Sequence, residues 1–141
     1  MVNSKGVVRF HMLEVVSIPA KKQLKEAIAE LMAEEGNEFK SLDYIFCSDE
    51  YLLEINQKFL EHDDLTDIIT FDLSEDDGLI GEIYISVERV KDNSLLFNTD
   101  VDEELKRVIF HGALHLCGYK DKTKKDREEM KIREDYYLSK S

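Results

Sequence analysis

The sequence predicts a single α+β domain over residues 1–141, with four strands and five helices. Short segments of high β-branched content alternate with segments whose apolar residues recur at helical spacing. The chain has 141 residues and 43% of them are hydrophobic, which suffices for one core and requires no second domain. These two observations define the fold class.

Three strands and two helices are predicted in the first half of the chain. Apolar residues such as Leu24, Ile28 and Leu31 recur at helical spacing, and Pro19 suits the first turn of that helix. Ser48 is suited to cap the next helix. The predicted strands span residues 7–12, 42–47 and 68–73, and the helices span about 20–36 and 48–59.

One strand and three helices are predicted in the second half. Turn residues at 74–78 precede the strand, and Asp100 or Thr99 is suited to cap a helix that is apolar on most sides. The final helix has apolar residues scattered among charges, so we expect it to lie on the surface. The predicted strand spans 79–87, and the helices end near residues 97, 117 and 138.

The net charge of −12 argues against a protein that binds nucleic acid with its whole surface, because such binding depends largely on neutralising phosphates. One basic cluster nevertheless follows the central helix. It consists of Lys120, Lys122, Lys124, Lys125 and Arg127. Such a run of charges is often only the solvent-exposed start of a helix. Its position after the central helix is nevertheless compatible with binding of an anionic substrate.

The N-terminal sequence contains no apolar stretch typical of a signal peptide, and no run reaches the roughly 18 apolar residues of a membrane span. Cys47 and Cys117 lie in apolar surroundings, which favours reduced thiols over a disulfide framework. We therefore expect a cytoplasmic protein that does not contact membranes.

His111 and His115 are the most informative residues of the chain. Positions i and i+4 lie one turn apart on a helix, so the two imidazoles can bind one metal ion. Gly118 is placed to end the helix, which lets Asp121 turn back as a third ligand. This set resembles a hydrolytic zinc centre, in which the ion acidifies a bound water. A pair of core histidines bonded to backbone carbonyls is the alternative.

Gly112 argues against one class of enzyme. A zincin protease has Glu directly after its first metal-binding histidine, where it serves as general base. This chain has Gly112 at that position, so peptide hydrolysis by that mechanism is not expected. His11 and His62 belong to no comparable pattern, and we interpret them as structural or surface residues.

Three sequence blocks occur in a characteristic order. Residues 66–71 read Thr-Asp-Ile-Ile-Thr-Phe, residues 80–86 read Ile-Gly-Glu-Ile-Tyr-Ile-Ser, and residues 111–119 read His-Gly-Ala-Leu-His-Leu-Cys-Gly-Tyr. Together with Asn56 upstream, they resemble the YbeY family of metal-dependent endoribonucleases. The resemblance implies a mixed sheet flanked by helices, one bound divalent ion (zinc), and cleavage of single-stranded RNA in ribosomal RNA maturation and ribosome quality control.

The resemblance and the basic cluster together suggest roles for individual residues. The metal ligands, which would also be catalytic through the metal-bound water, are His111, His115 and Asp121. The candidate substrate-binding residues are Lys120, Lys122, Thr66, Asp67 and Glu82. Thr66 and Asp67 also fit an ordinary turn before a strand, and Glu82 also fits a solvent-facing strand position.

Two positions depart from the family pattern. The family normally has a histidine where this chain has Asp121; a carboxylate adds negative charge, makes bound water less acidic and favours a harder ion such as manganese. The family usually has an arginine at the position of Leu60, where its planar fork suits a phosphate. Lys58 or the cluster after Lys120 offers a substitute without that fork geometry.

Three functions are compatible with the sequence. The first is the metal-dependent endoribonuclease. The second is a non-catalytic ribosome-associated binding factor, in which a structural metal organises the fold and the acidic surface contacts basic ribosomal proteins. The third is hydrolysis of a small phosphorylated substrate. RNA cleavage, ribosome association and phosphatase activity respectively distinguish them.

Overall fold

The computed structural model describes residues 6–60, 66–76 and 78–141, and these residues form an α+β domain as the sequence predicts. In chain order the elements are β1 (Val7–Met12), α1 (Lys21–Glu34), β2 (Phe39–Cys47), α2 (Asp49–Leu60), β3 (Ile68–Asp72), β4 (Leu79–Ser86), α3 (Val87–Leu96), α4 (Val101–Leu116) and α5 (Lys124–Lys140). His62 and the side chain of Leu60 lie outside the described residues.

The strands of the described residues form one mixed sheet in the order β1-β2-β4-β3. β1, β2 and β4 are parallel neighbours, and β3 pairs antiparallel with β4 at the edge. Parallel pairing requires a crossover connection, which α1 supplies between β1 and β2. The mixed, helix-flanked sheet that the resemblance implies is confirmed.

The main hydrophobic core lies between one face of the sheet and helices α1 and α4. Ile28 of α1, Ile83 of β4 and Ile109 of α4 are fully buried in it. The other face of the sheet packs against α2 through a smaller cluster, whose buried members are Cys47, Leu52, Ile55 and Ile69. The central helix α4 is therefore buried on most sides, as its apolar pattern predicts.

Two glycines bring α4 close to the sheet. A Cβ added at Gly112 would lie 2.8 Å from Ile83 Cγ2, and one added at Gly81 of β4 would lie 2.5 Å from Leu116 Cδ1. The buried Tyr44 hydroxyl also donates a hydrogen bond to the Ile109 carbonyl at 2.8 Å. The position of α4 on the sheet is thus set by close packing and by a buried hydrogen bond.

Some element boundaries differ from the prediction. Pro19 was expected in the first turn of α1, but the helix begins at Lys21 because Ala20 adopts a left-handed conformation with φ of 52°. β2 starts at Phe39, three residues earlier than predicted, because it extends along β4 across a register shift. Ser48 and Asp100 cap their helices as expected, accepting hydrogen bonds from the amides of Tyr51 and Glu103.

Helix α5 is the element whose environment differs most from the prediction. It was expected to lie on the surface, and Ile132 is indeed 67% exposed. Met130 and Tyr137, however, are only 2% and 5% exposed, because they pack into the main core. Glu134 lies between them on the same face and is also buried. The helix therefore presents one buried stripe, which carries a carboxylate.

No helix among the described residues is long and apolar enough to cross a membrane. Cys47 and Cys117 are both free thiols, as predicted.

Candidate metal centre

His111 and His115 lie one turn apart on α4, on the stripe that faces a cleft rather than the sheet. Their ring centroids are 4.6 Å apart, and both side chains are partly exposed. Gly112, between them, meets the sheet directly. The close packing of α4 on its glycine side therefore turns both imidazoles toward the cleft.

The end of α4 returns the chain toward these histidines. Gly118 adopts a left-handed conformation with φ of 101°. The amide of Gly118 donates to the His115 carbonyl at 3.0 Å, and the amide of Tyr119 donates to the Leu114 carbonyl at 3.1 Å. This is a Schellman motif. The Tyr119 hydroxyl then bonds Glu35 of α1, so the segment leading to Asp121 is held in place.

Asp121 meets both histidines, as predicted from their spacing. Its Oδ2 atom lies 3.3 Å from His111 Nε2 and 3.2 Å from His115 Nε2. The three candidate ligand atoms all lie within 4.8 Å of one another. Charge-assisted hydrogen bonds are shorter, at about 2.7–2.9 Å. Ligands of a tetrahedral ion, with bonds of about 2.0–2.1 Å, lie about 3.3 Å apart. The donor set therefore fits a divalent metal ion.

Glu134 of α5 orients His111, and sequence reasoning missed it. Its Oε2 atom lies 2.6 Å from His111 Nδ1, and its Oε1 atom accepts a hydrogen bond from Arg107 at 2.9 Å. A carboxylate only accepts, so Nδ1 carries the proton and Nε2 is left to bind a metal. The sequence did contain a signal: Met130, Glu134 and Tyr137 recur at i, i+4 and i+7 on α5.

The carboxylates around His111 determine its charge. Burial lowers its pKa, but the hydrogen bond to Glu134 and the negative charges of Glu134, Asp121 and Asp67 outweigh burial and raise the pKa overall. Burial raises the pKa of Asp67, and it does the same for Glu104. The cleft is thus a partly buried environment in which acidic groups are held closer to neutrality.

A cleft of about 920 Å³, which we call the edge cleft, runs along β3 to the three candidate ligands. Three of the residues that the sequence analysis predicts to bind substrate line it, namely Thr66, Asp67 and Lys122. The Thr66 hydroxyl also bonds the backbone of Ile68, which is the turn role considered above. Asn56 of α2 also lines this cleft. The structure therefore brings these predicted residues together.

Two of the predicted residues do not line this cleft. Side chains alternate between the faces of a strand, and Ile83 contacts α4, so its neighbour Glu82 lies on the opposite face of the sheet. There Glu82 accepts a hydrogen bond from the Tyr84 hydroxyl at 2.9 Å. Lys120 is exposed and lies outside the cleft lining. The face of the sheet on which Glu82 lies could not be predicted, because local sequence does not reveal which strand face meets α4.

Cys117 is the remaining residue that could have acted as a ligand. Its Sγ atom lies 3.6 Å from Met32 Sδ, on the α1 side of α4. Burial raises the pKa of its thiol to about 11, so the thiolate that a metal requires is disfavoured. Cys117 is a core residue.

The fold and the cleft define a class: a small α+β protein with a candidate three-ligand metal centre beside an edge strand. A sequence model described as Endoribonuclease YbeY matches residues 11–141, which is most of the chain. The chain therefore belongs to the YbeY family. The resemblance drawn from the three sequence blocks is confirmed.

Individual relatives agree with this assignment. Endoribonuclease YbeY of Cytophaga hutchinsonii is 61% identical over 99 residues, which cover 70% of this chain and 69% of the relative. The enzyme of the same name from Flavobacterium johnsoniae is 53% identical over 107 residues, covering 76% of each chain. A solution structure from Thermotoga maritima is 31% identical with a TM-score of 0.65, covering 94% of this chain and 87% of that one.

Proposed function

We propose that this protein is a metal-dependent endoribonuclease that cleaves single-stranded RNA in the cytoplasm, during ribosomal RNA maturation and ribosome quality control. The observation that carries the proposal is the convergence of His111, His115 and Asp121 in a cleft of a YbeY-family fold. A divalent ion, proposed to be zinc, would supply Lewis acidity toward the scissile phosphate and lower the pKa of a coordinated water.

The protein groups around the ligands have separable roles in this proposal. Glu134 holds the Nδ1 proton of His111 and keeps Nε2 directed at the cleft. Lys122 lies in the cleft wall, where its charge favours an anionic substrate. Asp67 lines the same cleft, and burial raises the pKa of its carboxyl group above the ordinary value, so we propose it as a group that exchanges a proton with the reacting groups.

A nuclease assay tests the proposal. Purified protein is incubated with a single-stranded RNA and with DNA of matched sequence, each with zinc, with manganese and with chelator. We expect metal-dependent cleavage of RNA only, abolished by His115→Ala and retained by His11→Ala, whose side chain lies on β1. Equal cleavage by His115→Ala would identify a contaminating nuclease and contradict the proposal.

The product ends then distinguish two routes. A 2′,3′-cyclic phosphate indicates attack by the ribose 2′-hydroxyl, whereas a 3′-hydroxyl with a 5′-phosphate on the other product indicates attack by water; a linear 3′-phosphate arises by either route. Matched substrates that carry a single 2′-deoxy residue at the cleavage site provide the control, because they block only the first route.

A second candidate is the ribosome-associated binding factor with a structural metal. Leu60 at the family's arginine position and the net charge of −12 favour it. It predicts that association with ribosomal particles survives His111→Ala in a protein whose circular dichroism is unchanged. Loss of both ribosome association and folding in His111→Ala would mean that the metal has only a structural role. Loss of RNA cleavage, with association and folding retained, supports the nuclease.

A further inference from the structure

The cleft continues past the candidate ligands to the other side of His111. This second part, which we call the side cleft, has a volume of about 500 Å³. Its lining residues shared with the edge cleft are Glu104, Arg107, His111, Asp121 and Glu134. Its own lining includes Phe97, Thr99, Arg127, Met130 and Lys131. A chain molecule bound at His111 can therefore extend into the side cleft.

Phe97 is held at the mouth of the side cleft by the way α3 ends. Its amide donates to the Asn93 carbonyl at 2.9 Å, and Asn98 then adopts a left-handed conformation with φ of 54°. The Thr99 amide closes the turn on the Ser94 carbonyl at 2.8 Å. The Phe97 side chain is nevertheless 62% exposed. An aromatic ring on a fixed backbone is thus presented to solvent beside the candidate metal centre.

Two exposed cations line the same side cleft, one turn apart on α5. Arg127 donates one hydrogen bond to the Lys122 carbonyl, and in the part of the chain that the structure describes neither Arg127 nor Lys131 forms an ion pair. Arg107 lies deeper, but Glu134 and Asp135 bind it at 2.9 and 2.6 Å. The charges available to an anion in the side cleft are therefore those of Arg127 and Lys131.

We propose that the side cleft binds a nucleotide of single-stranded RNA next to the cleaved position, with its base stacked on Phe97 and its phosphate on Arg127 and Lys131. This inference rests on the proposed nuclease function and adds a substrate subsite to it. An exposed ring stacks on any unpaired base, whereas bases inside a duplex are already stacked. The subsite therefore favours single strands by stacking and binds their backbone by charge.

Binding of RNA to metal-free protein tests the stacking without relying on catalysis. Fluorescein-labelled single-stranded octaribonucleotides are titrated in chelator and followed by anisotropy. We expect Phe97→Ala to weaken binding by about tenfold, since stacking on an aromatic side chain is worth that order of affinity. Leu96→Ala is the matched control, because Leu96 is 75% exposed in the same turn but does not line the side cleft.

An abasic substitution identifies the nucleotide. Octamers that each carry one abasic position are compared between wild type and Phe97→Ala. At one abasic position the tenfold difference in Kd between the two proteins should disappear, because that RNA has no base to stack on Phe97. A difference that persists at every position would mean that Phe97 acts through the fold, and it would overturn the stacking.

Salt dependence tests the two cations. Arg127→Gln and Lys131→Gln should each reduce the slope of log Kd against log salt by about 0.7, the value for one phosphate contact on a single strand. Lys22→Gln, at an exposed position on α1 that lines neither cleft, should leave the slope unchanged. Unchanged slopes in all three variants would overturn the phosphate contact.

The outcomes separate this inference from the proposed function. If the wild-type protein cleaves RNA and Phe97→Ala binds RNA as tightly as wild type, the subsite is overturned and the proposed nuclease function stands. Wild type that neither binds nor cleaves single-stranded RNA overturns both. Weaker binding by Phe97→Ala at a single base position supports both.

Discussion

Two regions of this protein bring together a histidine, a carboxylate and an arginine, yet only one resembles a metal centre. On β1 and β2, Asp43 accepts hydrogen bonds from Arg9 at 2.7 and 3.1 Å and lies 2.7 Å from His11. On α4 and α5, Glu134 is shared in the same manner between His111 and Arg107. Residue types alone therefore do not distinguish the two regions.

The difference lies in what remains available after these bonds form. In the strand cluster, which consists of Arg9, His11 and Asp43, the guanidinium and the imidazole both lie at hydrogen-bond distance from one carboxylate, and Arg9 and His11 are about half exposed. In the cleft, His111 bonds Glu134 through Nδ1, and the Nε2 atoms of His111 and His115 lie 3.3 and 3.2 Å from Asp121 Oδ2. A metal site needs several ligand atoms that converge on one point, which only the second of these two regions supplies.

The largest expected effect separates the two regions directly. We expect about one divalent ion per chain in wild type, lost in His115→Ala and Asp121→Ala, because three protein ligands are the minimum of such centres. Inductively coupled plasma mass spectrometry on protein purified without an affinity tag measures this. His11→Ala should retain the ion. Metal retained by Asp121→Ala would move the third ligand elsewhere.

The next effect concerns the carboxylate that holds His111. Glu134→Gln should lower zinc affinity by about 10- to 100-fold, because the group that fixes the histidine tautomer loses its charge. Competition with a chelating dye measures the affinity. Asp135→Asn is the control, since Asp135 also binds Arg107 but, among the residues that the structure describes, is not hydrogen-bonded to His111. An equal loss in both variants would show that the effect passes through Arg107.

A third substitution tests the close packing that directs the histidines. Ala is the better helix former by about 1 kcal/mol, but a methyl at Gly112 would overlap the stiff Ile83 side chain, and such overpacking costs about 1–3 kcal/mol. We expect Gly112→Ala to lower the free energy of unfolding by about 1 kcal/mol in a urea titration. Lys106→Ala on the same helix is the control. A stabilised Gly112→Ala would contradict the close approach.

The smallest effect belongs to the strand cluster. The hydrogen bond and charge of Arg9 lower the pKa of Asp43 despite its partial burial. The stabilisation from ionised Asp43 is therefore present above the carboxyl pKa in the unfolded chain, about 3.9. It is lost as the pH falls through the lower carboxyl pKa in the folded protein. Asp43→Asn should cost less than about 1 kcal/mol at pH 5, because solvent screens the pair. The difference in free energy of unfolding between wild type and Asp43→Asn should be smaller at about pH 3, as measured by urea titration. A difference that stays constant with pH would exclude the ion pair.

Local sequence sufficed where the structure depends on local spacing. His111, His115, Gly118 and Asp121 fall within one helix and its termination, so helical geometry predicted their convergence. The elements of the sheet were predicted for the same reason. The mixed character of the sheet was predicted from the family resemblance alone, and the strand order was not predicted, because strand pairing joins segments that are distant in sequence.

Contacts between distant elements could not be predicted in this way. Glu134 reaches His111 from 23 residues further along the chain, and its role depends on how α5 docks on α4. The face of the sheet on which Glu82 lies could not be predicted from local sequence either, because sheet packing sets it. The exposure of Phe97 follows from how α3 ends against α4, which its apolar character does not indicate.

Because Glu134 lies on α5, it joins the candidate metal site later in protein synthesis than the three candidate ligands do. Residues 111–121 leave the translating ribosome before residue 134 does. At that stage a nascent chain holds all three candidate ligands, but the His111 ring lacks the carboxylate that fixes its tautomer. We therefore expect the candidate ligands to bind a divalent ion at full affinity only after α5 has emerged and docked on α4.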